Sequence, residues 1–225
     1  MPSSSLSGKS PSQWIIHRLN AEAPLERIMD VGPGEGFYAK TCRSPLHNQH
    51  WVGVEVWAPY IRKYALPALY DRMIVSDIRY LDWSAVAPLD LVICGDMLEH
   101  MTRAEAVKVV DRALATARVV LISMPVEHFP QGELEDNPFE VHVEEDWSDA
   151  DAKAAFPNWC IAIRESYIGV YLVTRRADDR ERLIRLGREL GAMVARDDRA
   201  INVCVPGEAP FGRINLPESA PHGNR

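Results

Sequence analysis

Apolar runs of strand length alternate with amphipathic stretches of helical spacing through the first half of the chain. Successive runs are separated by segments long enough for a helix, which predicts parallel strands joined by helical crossovers. The run at 89–94 is apolar after Asp90, as expected for a central parallel strand. The predicted parallel strands are 27–31, 51–55, 72–76, 89–94 and 118–123.

Two later apolar runs, 160–164 and 168–174, lie too close together for a helical crossover. They must pair antiparallel or belong to different sheets, and we expect a hairpin that closes the sheet. The predicted fold is therefore α/β, with a Rossmann-like, doubly wound sheet of seven strands that is mostly parallel and has an antiparallel final hairpin. A short run at 201–205 has the length of a further edge strand.

Helix signals flank these strands. Ser10, followed by a proline, favours a helix start near the N-terminus. The segment 102–105 has the pattern of a capping box, which predicts a helix that ends near Thr116. A charged stretch at 178–190 carries leucines at helical spacing and predicts an amphipathic helix.

The chain divides into three predicted parts. An N-terminal helix or arm (1–24) precedes the main domain (25–175), and a C-terminal part (176–225) contains a helix and a short strand. The end of the chain, 206–225, is rich in proline and glycine and is expected to be partly unstructured.

Composition narrows the class of protein. Over 225 residues, 47% are hydrophobic and 25% charged, as in ordinary globular domains. A net charge of -7 disfavours a nucleic-acid partner, which requires a concentrated basic surface. The four cysteines are dispersed without a C-x-x-C pair, which indicates buried thiols in a reducing compartment. Since neither an apolar span nor a signal core stands out, we expect a cytoplasmic protein with no membrane span.

The first predicted strand ends near Asp30 and runs into Gly32, Gly34 and Gly36. Glycines at a strand-to-helix turn allow tight backbone angles and let a ligand approach the main chain. In a dinucleotide site the third glycine would come one residue later, where Phe37 stands. The Asp30 carboxylate would repel a diphosphate but suits a ligand with an ammonium group, such as S-adenosylmethionine. A glycine turn without a ligand, or a nucleotide site of another kind, is the alternative.

Acidic residues also end the second, third and fourth strands. Glu55 lies 25 positions after Asp30, close to the spacing at which a βαβ unit brings a carboxylate to ribose hydroxyls. Asp77 and Ile78 suit an adenine, the carboxylate accepting from its amino group and the isoleucine lying on the ring. Asp96 follows the fourth strand. Because ligands of doubly wound sheets lie beyond the carboxyl ends of the strands, we expect these acids to surround one ligand.

Taken in order, these motifs resemble the successive motifs of the class I S-adenosylmethionine-dependent methyltransferases. The likeness covers about 27–174 and includes the final hairpin. Pro33 departs from the family pattern, in which Cys, Ala or Ser is common at this position. The motifs that carry the resemblance are 28–36, 52–55, 76–78 and 90–100.

The resemblance implies S-adenosylmethionine as the cofactor and a role for each motif. The glycine loop would hold the methionine part, the second motif the ribose, the third the adenine, and the fourth the floor beside the methyl group. In that order, the implied cofactor-binding residues are Asp30, Gly32, Gly34 and Gly36, then Glu55, then Asp77 and Ile78, then Asp96 and Met97.

Methyl transfer to a hydroxyl is an in-line displacement that requires a proton acceptor, and histidine is the natural one near neutral pH. The candidates are His100, His128 and His142. We prefer His142, because the segment 137–142 is dense in polar groups and looks like a segment of bacterial methyltransferases associated with surface glycans. The alternative for each histidine is a structural, hydrogen-bonded role.

No metal site is predicted. The polar segment 126–146 carries carboxylates that could bind a divalent ion through hard oxygen ligands, but a solvated acidic loop explains them more simply. These acids are Glu133, Glu135, Asp136 and Glu140.

The sequence thus predicts an S-adenosylmethionine-dependent methyltransferase that acts on a hydroxyl of a small molecule or glycan precursor. A methyltransferase acting on nucleic acid or protein is one alternative. The segment 137–139 superficially resembles the (Asp/Asn)-Pro-Pro-(Tyr/Phe) motif of DNA amino methyltransferases but has one proline and follows the wrong strand. A non-catalytic nucleotide-binding or scaffold protein of the same fold is the other alternative. The sequence gives no prediction of oligomeric state.

Overall fold

A computed structural model describes residues 7–196 and 200–212 of the chain. Within these residues there are eight strands, β1 Arg27–Val31, β2 His50–Glu55, β3 Arg72–Val75, β4 Leu89–Gly95, β5 Ala117–Pro125, β6 Trp159–Glu165, β7 Ile168–Val173 and β8 Ile201–Cys204. They form one sheet in the order β3-β2-β1-β4-β5-β7-β6-β8.

The first five strands pair in parallel, with β1 between β2 and β4 at the centre. β7 then lies antiparallel between β5 and β6 and forms the predicted hairpin with β6. This arrangement confirms the predicted Rossmann-like α/β class. The sheet has eight strands where seven were predicted, because β8 pairs antiparallel with β6 and extends the edge.

Helices cover both faces of the sheet. They are α1 Lys9–Glu22, α2 Phe37–Cys42, α3 Ala58–Lys63, α4 Arg103–Thr116, α5 Asp149–Ala155 and α6 Ala177–Val194. α1, α2 and α6 pack on one face and α4 and α5 on the other, so that strand side chains alternate between two apolar cores. In β1, for example, Ile28 lies in the core beneath α1, α2 and α6, and Met29 lies in the core beneath α4 and α5.

The helix ends follow local rules, with one correction. The predicted capping box of α4 is present, with the Thr102 side chain and Glu105 bonded reciprocally. The first helix begins at Lys9 rather than at Ser10, because Gly8 takes the left-handed cap conformation with φ of 75°. The carbonyl of Gly8 also accepts from the Ser12 hydroxyl at 2.6 Å.

Two further expectations concern membrane spans and the C-terminal end of the chain. Among the described residues, every helix is too short or too polar to cross a bilayer. The predicted unstructured end falls mainly on 213–225, which lies outside the described residues.

Candidate functional site

A cavity of about 350 Å³ opens beyond the carboxyl ends of β1, β2 and β4. This is where a doubly wound sheet places its ligands. Its wall contains residues from the glycine turn and from the ends of β2, β3 and β4. The 126–146 segment supplies a further part of the wall, with Phe129, Gln131, Leu134, Asn137, Phe139, Glu140 and His142.

The glycine turn has the strained geometry that only glycine adopts readily. Gly32, Gly34 and Gly36 have φ of 61°, 52° and 76°, all in the left-handed region. Gly32 and Gly34 line the cavity, where the absence of a side chain leaves the main chain open to a ligand. Gly36 instead packs against Leu69, whose Cδ1 would lie 2.5 Å from an added Cβ.

Asp30 lies behind the cavity wall rather than in it. Its side chain is buried, and its Oδ2 accepts from the Tyr70 hydroxyl at 2.6 Å. Burial raises the pKa of Asp30 to about 7, although the Tyr70 hydrogen bond and the charge of Lys9 act in the opposite direction. Asp30 is therefore not among the residues that line the cavity, and its contact with an ammonium group of a ligand stays a prediction.

Glu55 reaches the cavity from the end of β2. The carboxylate is buried and its Oε1 accepts from the backbone N–H of Trp57 at 2.8 Å. A carboxylate has about four acceptor positions, so most of its hydrogen-bonding capacity remains for a ligand. Burial raises the pKa of Glu55 to about 7, while the hydrogen bond from Trp57 opposes that rise.

Asp77 and Ile78 line the cavity together on the far side of Glu55. Arg79 donates to both oxygens of Asp77, with Nη2 to Oδ2 at 2.6 Å. Burial would raise the pKa of Asp77, but these hydrogen bonds lower it overall. An adenine amino group would therefore have to share the carboxylate with Arg79, a partner that the sequence analysis did not consider. Ile78 is buried and presents an apolar surface to the cavity.

Asp96 and Met97 form part of the cavity wall after β4. The oxygens of Asp96 accept from the Lys9 ammonium at 2.9 Å and from the Ser123 hydroxyl at 2.7 Å. Burial alone would lower the pKa of Lys9, but the attraction of the Asp96 carboxylate raises the pKa of Lys9 above its ordinary value. Sequence reasoning missed Lys9, because its partner lies 87 positions away and no local pattern marks the pair.

Two of the three candidate histidines lie together in the cavity, and the third lies apart from them. His100 and His142 line the cavity, with ring centroids 4.9 Å apart. His128 lies at the surface, where its Nδ1 is 2.8 Å from Asp146, so it is not placed to act in the cavity. Burial lowers the pKa of both His100 and His142, which keeps the rings neutral near pH 7.

Glu99 is a cavity residue to which the sequence analysis gave no role. It stands beside His100 in the short 3-10 turn Leu98–His100 and is 2% exposed. Burial raises its pKa well above the ordinary value. One ligand atom from each of Glu99, His100 and His142 lies within 4.8 Å of the other two. The adjacent Glu and His were the available signal, but the third member lies on a distant segment.

Aromatic side chains shape the opposite wall. Phe129 of the 126–146 segment stacks on Tyr167 at a centroid distance of 5.0 Å, and both line the cavity. Of the four acids that were considered as metal ligands, only Glu140 is among the residues that line the cavity. Glu133, Glu135 and Asp136 are exposed, as expected for a solvated loop.

Comparisons with known proteins address the fold. No family profile matches the chain, and no curated protein matches it. Solved structures do match. The N-terminal domain of EvdMO1, with SAH (S-adenosylhomocysteine) bound, is 17% identical over 76% of this chain and 83% of that one, with a TM-score of 0.57.

Two further structures match to a similar degree. CalS10, an amino pentose methyltransferase from Micromonospora echinaspora with SAM bound, is 19% identical over 75% of this chain and 91% of that one, with a TM-score of 0.53. The small RNA methyltransferase HEN1 is 14% identical over 79% of this chain and 27% of that one, with a TM-score of 0.59. The chain thus has the fold of the class I S-adenosylmethionine-dependent methyltransferases, as its sequence motifs predict.

Proposed function

We propose that this protein transfers the methyl group of S-adenosylmethionine to a hydroxyl of a small molecule or glycan precursor. The observation that carries the proposal is the shared cavity in which the open glycine turn and the buried Glu55 carboxylate face the imidazoles of His100 and His142. One half of the cavity has the groups that a nucleoside requires, and the other half has basic nitrogens for an acceptor.

The cofactor half fits the chemistry of S-adenosylmethionine. Gly32 and Gly34 leave their backbone bare at the wall, and Glu55 has acceptor capacity for two ribose hydroxyls. Ile78 offers an apolar surface of the kind on which an adenine ring packs. When bound, the cofactor would supply an electrophilic methyl group on a sulfonium.

The acceptor half suits a neutral, ring-bearing molecule. The stacked pair Phe129 and Tyr167 offers an apolar face, and Gln131 and Glu140 add polar groups in the same wall. CalS10 is an amino pentose methyltransferase, which agrees with a sugar-like acceptor, although proteins of this fold also include the RNA methyltransferase HEN1. The net charge of -7 favours the small acceptor over nucleic acid.

The residues of the chain would act chiefly by position. Holding the acceptor oxygen in line with the methyl carbon lowers the barrier by removing the entropy cost of alignment. The Nδ1 atoms of His100 and His142 are hydrogen-bonded to backbone carbonyls, so each Nε2 carries a lone pair. Such a nitrogen is suited to receive the hydroxyl proton, the role that the sequence analysis gave to His142.

Cofactor binding is the first test. Isothermal calorimetry with S-adenosylmethionine and SAH should show binding to the wild type, and Glu55→Gln should weaken it. Loss of a charged acceptor costs about 1.5–3 kcal/mol, which corresponds to roughly a 10- to 150-fold rise in Kd. Glu133→Gln makes the same change at an exposed position of the 126–146 segment and should bind as the wild type does. A wild type that binds neither ligand, or a Glu55→Gln that binds equally well, would refute the proposal.

Turnover is the second test. Cell extracts supplied with protein and cofactor should accumulate a species heavier by one CH₂, about 14 Da, in the small-molecule or glycan fraction. Cofactor binding without any methylated species would favour the non-catalytic alternative. Methylation confined to the nucleic-acid or protein fraction would overturn the assignment of the acceptor.

A further inference from the structure

Three side chains converge where the 126–146 segment covers the end of β4. Glu99 and His100 come from the 3-10 turn that follows this strand, and His142 comes from the covering segment. One nitrogen or oxygen of each lies within 4.8 Å of the others, a separation that a single ion bound at about 2.0–2.2 Å can span after small side-chain adjustments. The two imidazole planes meet at 69°.

Backbone hydrogen bonds fix both imidazoles in the same tautomer. The Nδ1 of His100 lies 3.1 Å from the carbonyl of Val141, and the Nδ1 of His142 lies 2.6 Å from the carbonyl of Phe129. A carbonyl only accepts, so each Nδ1 must carry the proton and each Nε2 must carry a lone pair. Metal-binding histidines commonly donate their second ring N–H in this way, which holds the ring and strengthens the ligand.

Glu99 lacks a partner for part of its carboxylate. Its Oε2 is buried and has no hydrogen-bond partner among residues 7–196 and 200–212. An unpaired buried polar atom is costly, and an unpaired buried charge is more so. The nearby ammonium of Lys9 is already bonded to Asp96 at 2.9 Å. One nitrogen of each imidazole and one oxygen of Glu99 lie within 4.8 Å of one another, and a cation held there would also neutralise the incompletely paired carboxylate.

We propose that Glu99, His100 and His142 bind one divalent transition-metal ion in this cavity. Two imidazole nitrogens and one carboxylate oxygen suit Zn²⁺, Co²⁺ or Mn²⁺, whereas Mg²⁺ and Ca²⁺ prefer sites built from oxygen. On this proposal His142 is a metal ligand, and that role replaces its predicted role as proton acceptor.

Three protein ligands leave at least one coordination position open. Since all three residues line the cavity, an ion that they held would be accessible from it. An oxygen bound to such an ion loses its proton more readily. The acceptor hydroxyl would then release its proton to solvent water, and its oxygen would take the methyl group as the bond to the sulfonium breaks and leaves SAH. This last step depends on the proposed function, whereas metal binding itself does not.

Metal binding is tested without cofactor or acceptor. Purified, chelator-treated protein is titrated with Zn²⁺ in a calorimeter, and Co²⁺ is followed by its visible absorption bands. We expect about one ion per chain in the wild type. Glu99→Gln and His142→Ala should each bind at least 100-fold more weakly, since loss of a direct ligand costs more than the roughly 10- to 100-fold typical of an outer-shell partner.

His128→Ala is the matched control, because His128 also neighbours a carboxylate but lies at the surface. It should bind Zn²⁺ as the wild type does. Far-UV circular dichroism identifies any variant that fails to fold, and the Co²⁺ spectrum of the wild type decides the question without a variant. A wild type that binds no Zn²⁺ and gives no Co²⁺ bands overturns the proposal, as does unchanged affinity in folded Glu99→Gln and His142→Ala. Either result is independent of whether S-adenosylmethionine binds.

Discussion

Replacing Asp30 with asparagine should remove a pH dependence from the folding of this protein. Asp30 is enclosed beneath the glycine turn, and burial raises its pKa to about 7 against the opposing effects of Tyr70 and Lys9. Asparagine has nearly the same shape, and its amide oxygen can still accept from the Tyr70 hydroxyl, which donates to Asp30 at 2.6 Å. The main change is therefore the loss of a titrating group.

The sign follows from proton binding in the two states. Between the ordinary pKa of 3.8 and about 7, the folded protein keeps a proton on Asp30 that the unfolded chain has already released. The free energy of unfolding therefore falls as pH rises through this interval. Above about pH 7, Asp30 is ionised in both states and causes no further change. Over roughly three pH units the loss amounts to about 4 kcal/mol. Asparagine lacks this contribution, so Asp30→Asn should gain stability relative to the wild type as pH rises.

Urea unfolding followed by tryptophan fluorescence at about pH 5 and about pH 8 measures the difference. The difference in the free energy of unfolding, Asp30→Asn minus wild type, should be about 4 kcal/mol larger at about pH 8 than in strong acid. Most of that increase should fall between about pH 5 and about pH 8. Asp136→Asn, at an exposed acid, is the matched control and should follow the wild type. An equal difference between Asp30→Asn and wild type at both values would show that Asp30 is already ionised in the fold at the lower pH.

Two further substitutions test the supports of the site. Gly36→Ala should lower the free energy of unfolding by at least about 1 kcal/mol, because a left-handed φ of 76° is combined with a clash at 2.5 Å. Urea unfolding checks this, and Gly132→Ala, with nothing within 4 Å of its added Cβ, should be close to neutral. Lys9→Met should cost about 3 kcal/mol by leaving Asp96 without its counter-charge. The double variant with Asp96→Asn should recover part of that loss, and no recovery would contradict the pairing.

The features that the sequence predicted well depend on rules that act within a few residues. The glycines after β1 were expected to allow tight backbone angles, and all three adopt left-handed ones. The capping box at Thr102 and the antiparallel pairing of β6 with β7 are likewise set by short segments. These are positions where a single local conformation satisfies the backbone.

The partners of the site residues were less predictable, because tertiary packing selects them. The sequence placed Asp30 at the right strand end but gave no indication that Tyr70 would donate to it from 40 positions away. It preferred His142 to His128 from the polar density of 137–142, and gave no indication of the partner of either ring. Both lie in the 126–146 segment, and only the path of that segment turns one toward the cavity and the other toward Asp146.

The electrostatic balance of the cavity connects the two proposals. Its cationic neighbours Lys9 and Arg79 are already paired with Asp96 and Asp77, so their charge is not available to the remaining acids. Within residues 7–196 and 200–212, Glu55 and Glu99 stay buried without an ion pair of their own, and burial raises the pKa of each. A buried carboxylate in this condition is stabilised by hydrogen-bond donors or by a cation. On the two proposals, ribose hydroxyls would meet that need at Glu55, and a metal ion held with two imidazoles would meet it at Glu99. Since the two needs arise on different residues, either proposal can fail while the other stands.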